Sequence, residues 1–214
     1  MKVLILVNGE LYKPDVLRSR IRAEAFDLVL GADGGARYAY TLNVTLDAII
    51  GDLDSLSDLE QQGISNTEFV SYPVEKDETD LELALLYAEE QGADQIVMVG
   101  AMGGRMDMTI ANILLITHAS RSSCRIEVWH GEQTGWVIKP PGEDIPGHPG
   151  DTVSLIPLGG DASGITTKGL KHSLKDEELT FGPARGLSNL LERPSAHIKL
   201  SEGVVLAIHT PGRA

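Results

Sequence analysis

The chain has 214 residues, of which 42% are hydrophobic and 23% are charged, and this composition excludes disordered and fibrous proteins. Its formal net charge of −13 argues against nonspecific binding to nucleic acid or to an anionic membrane surface. Cys124 is the only cysteine, which excludes an intramolecular disulfide and a zinc site built from cysteines, and a reducing cytoplasmic location fits.

The first segment, MKVLILVNGE, contains five consecutive apolar residues before Asn8. This run is too short for a signal-peptide core or a membrane span, so we expect a first β-strand and no membrane association. Further short apolar runs alternate with segments of helical period up to about residue 130, and this alternation predicts a parallel sheet built from βα units. These runs are DLVLGAD at 27–33, DAIIGD at 47–52, EFVSYP at 68–73, QIVMVG at 95–100 and RIEVWH at 125–130.

The clearest predicted helix lies in the segment TDLELALLYAEEQG. Apolar residues recur there at the spacing of one helix face, at Leu81, Ala84, Leu85 and Ala88. Thr79 followed three residues later by Glu82 matches a capping box, and Gly92 is a stop signal. The pattern therefore predicts a helix that begins directly after Thr79.

Beyond about residue 131 glycine and proline become frequent, and no long amphipathic helix is predicted. Short β-branched runs are separated by turn residues, in TGWVIKP, DTVSLIPLG, EELTFG, AHIKLSE and GVVLAIHT. This pattern is typical of a small antiparallel sandwich or barrel. We therefore expect two domains, residues 1–131 and residues 132–214.

Charged side chains follow four successive strands of the predicted parallel sheet. They are Asp33 after the second, Asp52 and Asp54 after the third, Asp77 and Asp80 after the fourth, and Arg105 and Asp107 after the fifth. Ligands of open parallel sheets bind at the carboxyl ends of the strands. Because so many carboxylates at one edge would repel each other, we expect a hard cation among them, and Mg²⁺ in particular.

The segment GDLDS places Asp52 and Asp54 two residues apart, and residues at this spacing point the same way in an extended chain. Both carboxylates would then fit one Mg²⁺, which takes one or two carboxylates and completes its shell with water and phosphate. The competing interpretation is a solvated turn in which Asp54 or Ser55 caps the next helix.

Two glycine loops, GADGGA and GAMGGRMD, match neither the dinucleotide fingerprint nor a Walker A loop. In the second loop the glycine N–H groups can approach phosphate, and the planar guanidinium of Arg105 suits phosphate oxygens. The alternative is that the glycines only permit tight turns and close helix packing. Asp80 near a helix start and Lys76 also have purely structural interpretations, so the hypothesis depends on the signals occurring together.

Taken in order along the chain, these motifs resemble those of the thiamine pyrophosphokinase (thiamine diphosphokinase) family. The matching segments are GADGGA, GDLDS, KDETDLELAL, GAMGGRMD followed by Asn112, VSLIPL, GITTKGLKHSL and RGLSN. They span most of the chain, and the ordered set is far more specific than any one of its members.

The resemblance implies an α/β fold with two domains. The N-terminal one would be a mostly parallel, Rossmann-like, three-layer α/β/α domain that binds ATP and Mg²⁺, and the C-terminal one a small all-β sandwich that binds thiamine. It also implies a homodimer with active sites at the subunit interface. In the implied reaction the hydroxyethyl oxygen of thiamine attacks the β-phosphorus of ATP, which gives thiamine diphosphate and AMP.

The resemblance also implies roles for individual residues. Asp33, Asp52, Asp54 and Asp80 would be the catalytic carboxylates, and the last three of these would bind Mg²⁺. Lys76, Thr79, Arg105 and Asp107 would contact the nucleotide and its phosphates, whereas His172, Ser188 and Asn189 would lie on the thiamine side. This set agrees with phosphoryl transfer, which needs positioning and charge neutralisation without a covalent nucleophile.

Two positions depart from the family pattern. Met108 stands where many members have histidine, and His172, where many have tryptophan, offers a smaller ring for stacking on thiamine. One alternative function is a diphosphokinase for another heterocyclic alcohol, such as a hydroxymethylpterin, which the C-terminal motifs disfavour. Another is a noncatalytic nucleotide or thiamine sensor, which the many cation-ready carboxylates disfavour.

Overall fold

A computed structural model of the chain describes residues 1–52, 67–73, 75, 77–119 and 124–212. The chain forms two compact units, Met1–Gly131 and Glu132–Ala214, which we call unit 1 and unit 2. Of the residues predicted to form the site, Asp54 and Lys76 lie outside the described residues.

The described part of unit 1 alternates strands with helices along the chain. The strands are β1 (Lys2–Leu6), β2 (Leu28–Ala32), β3 (Ala48–Gly51), β4 (Glu68–Ser71), β5 (Gln95–Val99) and β6 (Arg125–His130). The helices are α1 (Pro14–Ala23), α2 (Tyr38–Leu42), α3 (Asp80–Glu90) and α4 (Met106–Ala119), with a 3₁₀ helix at Asp33–Arg37. All strand pairs of this unit are parallel, as predicted.

The strand order in unit 1 is β6-β5-β1-β2-β3-β4. From β1 the chain builds outward to β4, and it then returns to the other side of β1 to form β5 and β6. The order therefore reverses between β1 and β5. In open parallel sheets such a reversal leaves a crevice at the carboxyl ends of the two strands.

Helices cover both faces of this sheet. On one face the buried strand residues Leu4, Leu6 and Ile49 pack with Leu17 of α1 and Leu42 of α2. Successive strand residues point to opposite faces, so their neighbours face the other side, where α3 packs against β2 and β3 and contacts α4. The predicted three-layer α/β/α arrangement is confirmed.

The start of α3 follows the predicted capping pattern. The Thr79 hydroxyl oxygen accepts a hydrogen bond from the Glu82 N–H at 3.2 Å, and the helix begins at Asp80. The buried side of the helix contains the predicted apolar residues together with Leu83. No helix in the described part of the chain has both the length and the apolar character needed to cross a bilayer.

Unit 2 consists of two antiparallel sheets, one of order β12-β9-β14-β7 and one of order β11-β10-β13-β8. Its strands are β7 (Gln133–Ile138), β8 (Gly142–Pro146), β9 (Thr152–Pro157), β10 (Ala162–Lys168), β11 (Glu177–Leu179), β12 (Asn189–Leu190), β13 (Ser195–Lys199) and β14 (Val205–Thr210). Buried side chains from both sheets form one core, for example Trp136, Leu155, Ile165 and Ile198. The sandwich alternative is therefore the one observed.

Three strands of unit 2 were not predicted, because they do not coincide with the apolar runs of the sequence. β8 reads GEDIP and carries few apolar residues, whereas β12 has only two residues. In β10 the pairing with β11 shifts register between Ala162 and Ile165, around Gly164 at φ 65°. Such irregular strands lack the period-2 pattern on which the sequence prediction depends.

Candidate active site

A cavity of about 440 Å³ lies at the carboxyl ends of the unit 1 strands. It is lined by residues that follow β1, β2 and β5 and by the start of α3, including Asn8, Asp33, Glu78, Thr79, Asp80, Gly103, Gly104, Arg105, Met108 and Asn112. The loops after β1 and β5 belong to the two strands between which the strand order reverses. This is the place at which open parallel sheets bind their ligands.

Two predicted site residues, Asp33 and Asp80, have side-chain atoms close to Gly51 at the end of β3. A Cβ atom built on Gly51 would lie 3.1 Å from Cβ of Asp33 and 3.5 Å from Oδ1 of Asp80. Asp52, which is half-buried, is the next residue of the chain. Glycine at position 51 therefore leaves room for side chains from the end of β2 and the start of α3 to approach each other, and both Asp33 and Asp80 line the cavity whereas Asp52 does not.

Asp33, Asp52 and Asp80 supply carboxylate oxygens, which are the ligands that Mg²⁺ takes in proteins. The described residues contain no group of three or more His, Cys, Asp or Glu side chains arranged to hold a metal on their own. Mg²⁺ does not require such a group, because it usually takes one or two carboxylates and fills its remaining positions with water and substrate phosphate. Asp52 and Asp80, with Asp54 two residues along the chain, are the side chains that would hold it.

Two predicted site residues have left-handed backbone conformations, Asp33 at φ 43° and Ser188 at φ 56°. This conformation costs a residue with a side chain about 1 kcal/mol or more. Both residues keep this conformation because the surrounding fold requires the chain to turn there. Strained backbone of this kind concentrates at functional positions, which is consistent with the predicted roles.

Arg105 and Asp107 form an exposed bidentate ion pair at the start of α4. Arg105 Nε lies 3.1 Å from Asp107 Oδ1 and Arg105 Nη2 lies 2.5 Å from Asp107 Oδ2. The hydrogen bond from Arg105, followed by one from the Met108 N–H, lowers the pKa of Asp107 to about 2. Asp107, predicted as a phosphate contact, therefore holds the guanidinium in place, while the other N–H groups of Arg105 stay available to a ligand.

The N–H groups of the glycine loop are already hydrogen-bonded, contrary to the expectation that they face phosphate. The Gly103 N–H donates to Thr109 Oγ1 at 3.0 Å, and the Gly104 N–H donates to Glu10 Oε1 at 3.1 Å. Both glycines have positive φ angles, 85° and 73°. The glycines thus shape a tight loop that presents Arg105.

Thr79, predicted as a nucleotide contact, lines the cavity and also caps α3. Its hydroxyl accepts the Glu82 N–H, and a hydroxyl that accepts can still donate its own hydrogen to a ligand. Asn8 and Glu78 line the same cavity and were not among the predicted site residues. Asn8 is the second residue after the first strand, so applying the strand-end rule to β1 as well would have found it.

Two of the three predicted unit 2 residues, His172 and Asn189, line a second cavity of about 280 Å³ together with Arg185 among others, whereas Ser188 does not line it. Asn189 Oδ1 accepts the His172 N–H at 2.9 Å and Asn189 Nδ2 donates to the His172 carbonyl at 2.7 Å. The Asn189 amide therefore holds the backbone of His172 in place. Arg185 forms an ion pair with Glu177, and sequence reasoning missed both of these residues.

Two family models match the chain, the first over most of unit 1 and the second over most of unit 2. The one described as "Thiamin pyrophosphokinase, catalytic domain" matches residues 22–128, and the one described as "Thiamin pyrophosphokinase, vitamin B1 binding domain" matches residues 138–205. The chain belongs to the thiamine pyrophosphokinase family. The predicted family membership, and with it the class of diphosphotransferase enzymes, is confirmed.

Individual relatives agree with this membership. The chain is 29% identical to thiamine pyrophosphokinase of Bacillus subtilis over 187 residues, which cover 86% of this chain and 87% of the relative. The crystal structure of thiamin pyrophosphokinase from Geobacillus thermodenitrificans superposes with a TM-score of 0.81 at 26% identity and covers 98% of this chain and 97% of that one. That of the Bacillus subtilis protein has a TM-score of 0.86 at 24% identity and covers 99% of both chains. These matches favour the thiamine interpretation over the pterin and sensor alternatives.

Proposed function

We propose that the chain transfers the β,γ-diphosphoryl group of ATP to the hydroxyethyl group of thiamine, with thiamine diphosphate and AMP as products. The observation that carries this proposal is that Asp33 and Asp80 both approach Gly51, the residue before Asp52, and both line the cavity. This arrangement places anionic ligands for a cation in the same cavity as the cationic Arg105. A bound polyphosphate would thus find both its counter-ion site and a direct cationic contact.

In this proposal Asp52, Asp54 and Asp80 hold Mg²⁺, which supplies neutralisation of phosphate charge when it is bound. Asp33, which like Asp80 lies close to Gly51, completes the proposed catalytic carboxylates. Lys76, Thr79 and Arg105 contact the phosphates and the nucleotide, and Asp107 orients Arg105. The protein's own contribution is positioning and electrostatic stabilisation, which dominate phosphoryl transfer.

Unit 2 would bind thiamine, with residues 1–131 as the nucleotide domain and residues 132–214 as the thiamine domain. His172, held at both backbone polar groups by Asn189, offers a ring for stacking on the heterocycle. The net charge of −13 suits a substrate with a permanently cationic thiazolium ring. Ser188 is the neighbour of Asn189 and of the cavity-lining Leu187.

Replacing Ser188 by glycine is expected to stabilise the fold and to weaken the binding of thiamine. Glycine adopts the left-handed backbone without strain, so the free energy of unfolding should rise by about 0.5–1 kcal/mol. The KM for thiamine should also rise, because the hydroxyl is lost. Denaturant unfolding and steady-state kinetics measure the two effects.

Asp176→Gly is the matched control for Ser188→Gly. Asp176 has the same φ of 56°, is exposed, and is not one of the predicted site residues. This variant should gain similar stability and keep the KM for thiamine. An unchanged KM for thiamine in Ser188→Gly would remove Ser188 from the site.

We also propose a homodimer with active sites at the subunit interface, each between unit 1 of one copy and unit 2 of its partner. Helix α4 carries an apolar stripe spaced one turn apart, in which Met106 is 79% exposed and Ile110 and Leu114 are about half exposed. Unit 2 likewise exposes Phe181 and Leu187, the latter at its cavity. Exposed apolar side chains in such numbers mark surfaces that are covered in the assembled protein.

A cytoplasmic location is part of the proposal. Cys124 is a buried free cysteine, and burial raises the pKa of its thiol to about 11. At neutral pH this thiol stays protonated and unreactive. A protein with one such cysteine and no disulfide suits a reducing compartment.

The direct test of the activity is incubation of the protein with thiamine, ATP and Mg²⁺, followed by chromatography of the products. Formation of AMP in equal amount with thiamine diphosphate is the expected result. Formation of ADP would indicate single phosphoryl transfer instead. No turnover with thiamine, but turnover with a hydroxymethylpterin, would move the protein to the alternative substrate.

A further inference from the structure

The loop that follows β1 lies at the mouth of the unit 1 cavity, before the first residue matched by the catalytic-domain family model. Its backbone is fixed to the neighbouring strand end. The Val7 N–H donates to the Val99 carbonyl at 2.8 Å, and the Gly9 N–H donates to the Gly100 carbonyl at 2.7 Å. Asn8 is therefore held between two anchored residues, although it belongs to a loop.

The side chain of Asn8 lies over Gly34. A Cβ atom built on Gly34 would lie only 2.5 Å from Asn8 Nδ2 and 2.9 Å from its Cγ. Gly34 does not have a positive φ angle, so glycine is not needed there for the backbone conformation. It is needed because a Cβ atom would collide with the Asn8 side chain. Gly35 differs, because a Cβ there would lie 2.2 Å from the Leu6 carbonyl oxygen, a backbone atom of β1. Of the two glycines, Gly34 is the one that makes room for the Asn8 amide.

The cavity around this amide is rich in carboxylates, with Asp33, Glu78 and Asp80 in its lining. A polyphosphate entering it needs hydrogen-bond donors, and the amide NH₂ of asparagine is a donor that carries no charge. It can approach a phosphate oxygen without competing with the carboxylates for a cation. Among the described residues, no hydrogen bond of the Asn8 side chain occupies that NH₂ group.

We propose that Asn8 is a nucleotide-binding residue whose amide NH₂ donates to a phosphate oxygen of ATP, and that Gly34 is required to place this amide. This inference rests on the proposed function. It adds to the predicted site a contact from the loop that follows β1. The loop that carries Arg105 follows β5, and the strand order reverses between β1 and β5.

The test is a mutant cycle of Asn8→Ala, Gly34→Ala and the double variant. ATP binding in the presence of Mg²⁺ is measured by isothermal titration calorimetry, and KM values for ATP and thiamine are measured separately. Each single variant should raise the Kd for ATP about tenfold, the typical effect of losing a hydrogen bond to a charged group, and leave the KM for thiamine unchanged. The double variant should bind ATP no more weakly than Asn8→Ala, because a Cβ at position 34 has no amide left to displace.

Two further variants separate this role from a structural one. Asn8→Asp keeps the shape but replaces the donor by an anion, so it should bind ATP more weakly than Asn8→Ala. Gly135→Ala is the glycine control, since its new Cβ would have no atom nearer than 3.8 Å and ATP binding should not change. Thermal unfolding of all variants should stay close to that of the wild-type protein.

An unchanged Kd for ATP in Asn8→Ala overturns the inference. Additive losses in the double variant overturn the part that concerns Gly34. Failure of the proposed function gives a different result, because the wild-type protein itself would then form no thiamine diphosphate.

Discussion

Asp80→Asn is expected to lower kcat for thiamine diphosphate formation by about a thousandfold, the upper range for removing one electrostatic group from a transition state. The substitution keeps the size of the side chain but removes its charge from the site where Asp80 meets Asp33 beside Gly51. The fold should survive, because the capping bond of α3 comes from Thr79 and only a favourable helix-dipole interaction is lost. Initial rates at saturating substrates and thermal unfolding are the measurements.

Glu82→Gln is the matched control for this variant. Glu82 lies in the same first turn of α3 and carries the same charge, but it does not line the cavity. It should lose the same small helix-dipole stabilisation and keep its turnover. Near-native turnover of Asp80→Asn would remove Asp80 from the proposed cation site.

The same variant tests the shared active site of the proposed homodimer. An Asp80→Asn copy and a His172→Ala copy with different tags are co-expressed, and the hybrid is purified through both tags. If each site combines unit 1 of one copy with unit 2 of the other, the hybrid has one intact site and about half the wild-type rate. The assay uses a thiamine concentration at which His172→Ala alone is inactive. An inactive hybrid would place each site within one copy, and a monomeric wild-type protein would exclude the dimer.

Arg105→Ala is expected to lower kcat/KM for ATP by about a hundredfold, because it removes the charged fork that would bind phosphate oxygens. Arg105→Lys should recover part of this loss, since it restores the charge but not the planar geometry. Asp107→Asn should have a smaller effect, mainly on the KM for ATP, because the guanidinium remains but loses its bidentate anchor. Because the pKa of Asp107 is about 2, the carboxylate stays ionised at neutral pH and its contribution should not vary there.

The control for Arg105→Ala is Arg125→Ala. Arg125 also pairs with an acidic residue two positions further on, Glu127, at 2.9 Å, but it lies on β6 and does not line the cavity. Its loss should leave kcat/KM for ATP unchanged. Equal effects of the two substitutions would mean that Arg105 acts only through general electrostatics.

The element types of unit 1 were predictable because they depend on neighbouring residues. The strand β6 at Arg125–His130 matches its apolar run residue for residue, and α3 begins where Thr79 and Glu82 indicate. The parallel arrangement followed from the alternation of the two periods. In unit 2 the irregular strands β8, β10 and β12 were missed, because their sequences lack the alternation that marks a regular strand.

From the sequence, the candidate site was predictable only as a set of charged residues that follow successive strands. That Asp33 and Asp80 meet at Gly51 depends on β2 lying beside β3, and on where the chain enters α3 after β4. The Glu10 carboxylate accepts a hydrogen bond from the Gly104 N–H, which lies 94 positions further along the chain, and no local sequence pattern indicates this contact. For this reason the glycine N–H groups are not the proposed phosphate donors of this loop, and Arg105 is.

By itself, the sequence determined the strands of unit 1 and the start of α3, which strand ends carry charged side chains and which family the ordered motifs indicate. These features depend on side chains a few residues apart, whose hydrogen bonds and periodicity form within one element. Only the tertiary structure decided that Glu10 accepts the Gly104 N–H, that Asn189 holds His172 and that Asn8 lies over Gly34. The physical reason is that a polar group can satisfy its hydrogen bonds with any nearby partner, and the packed fold selects that partner.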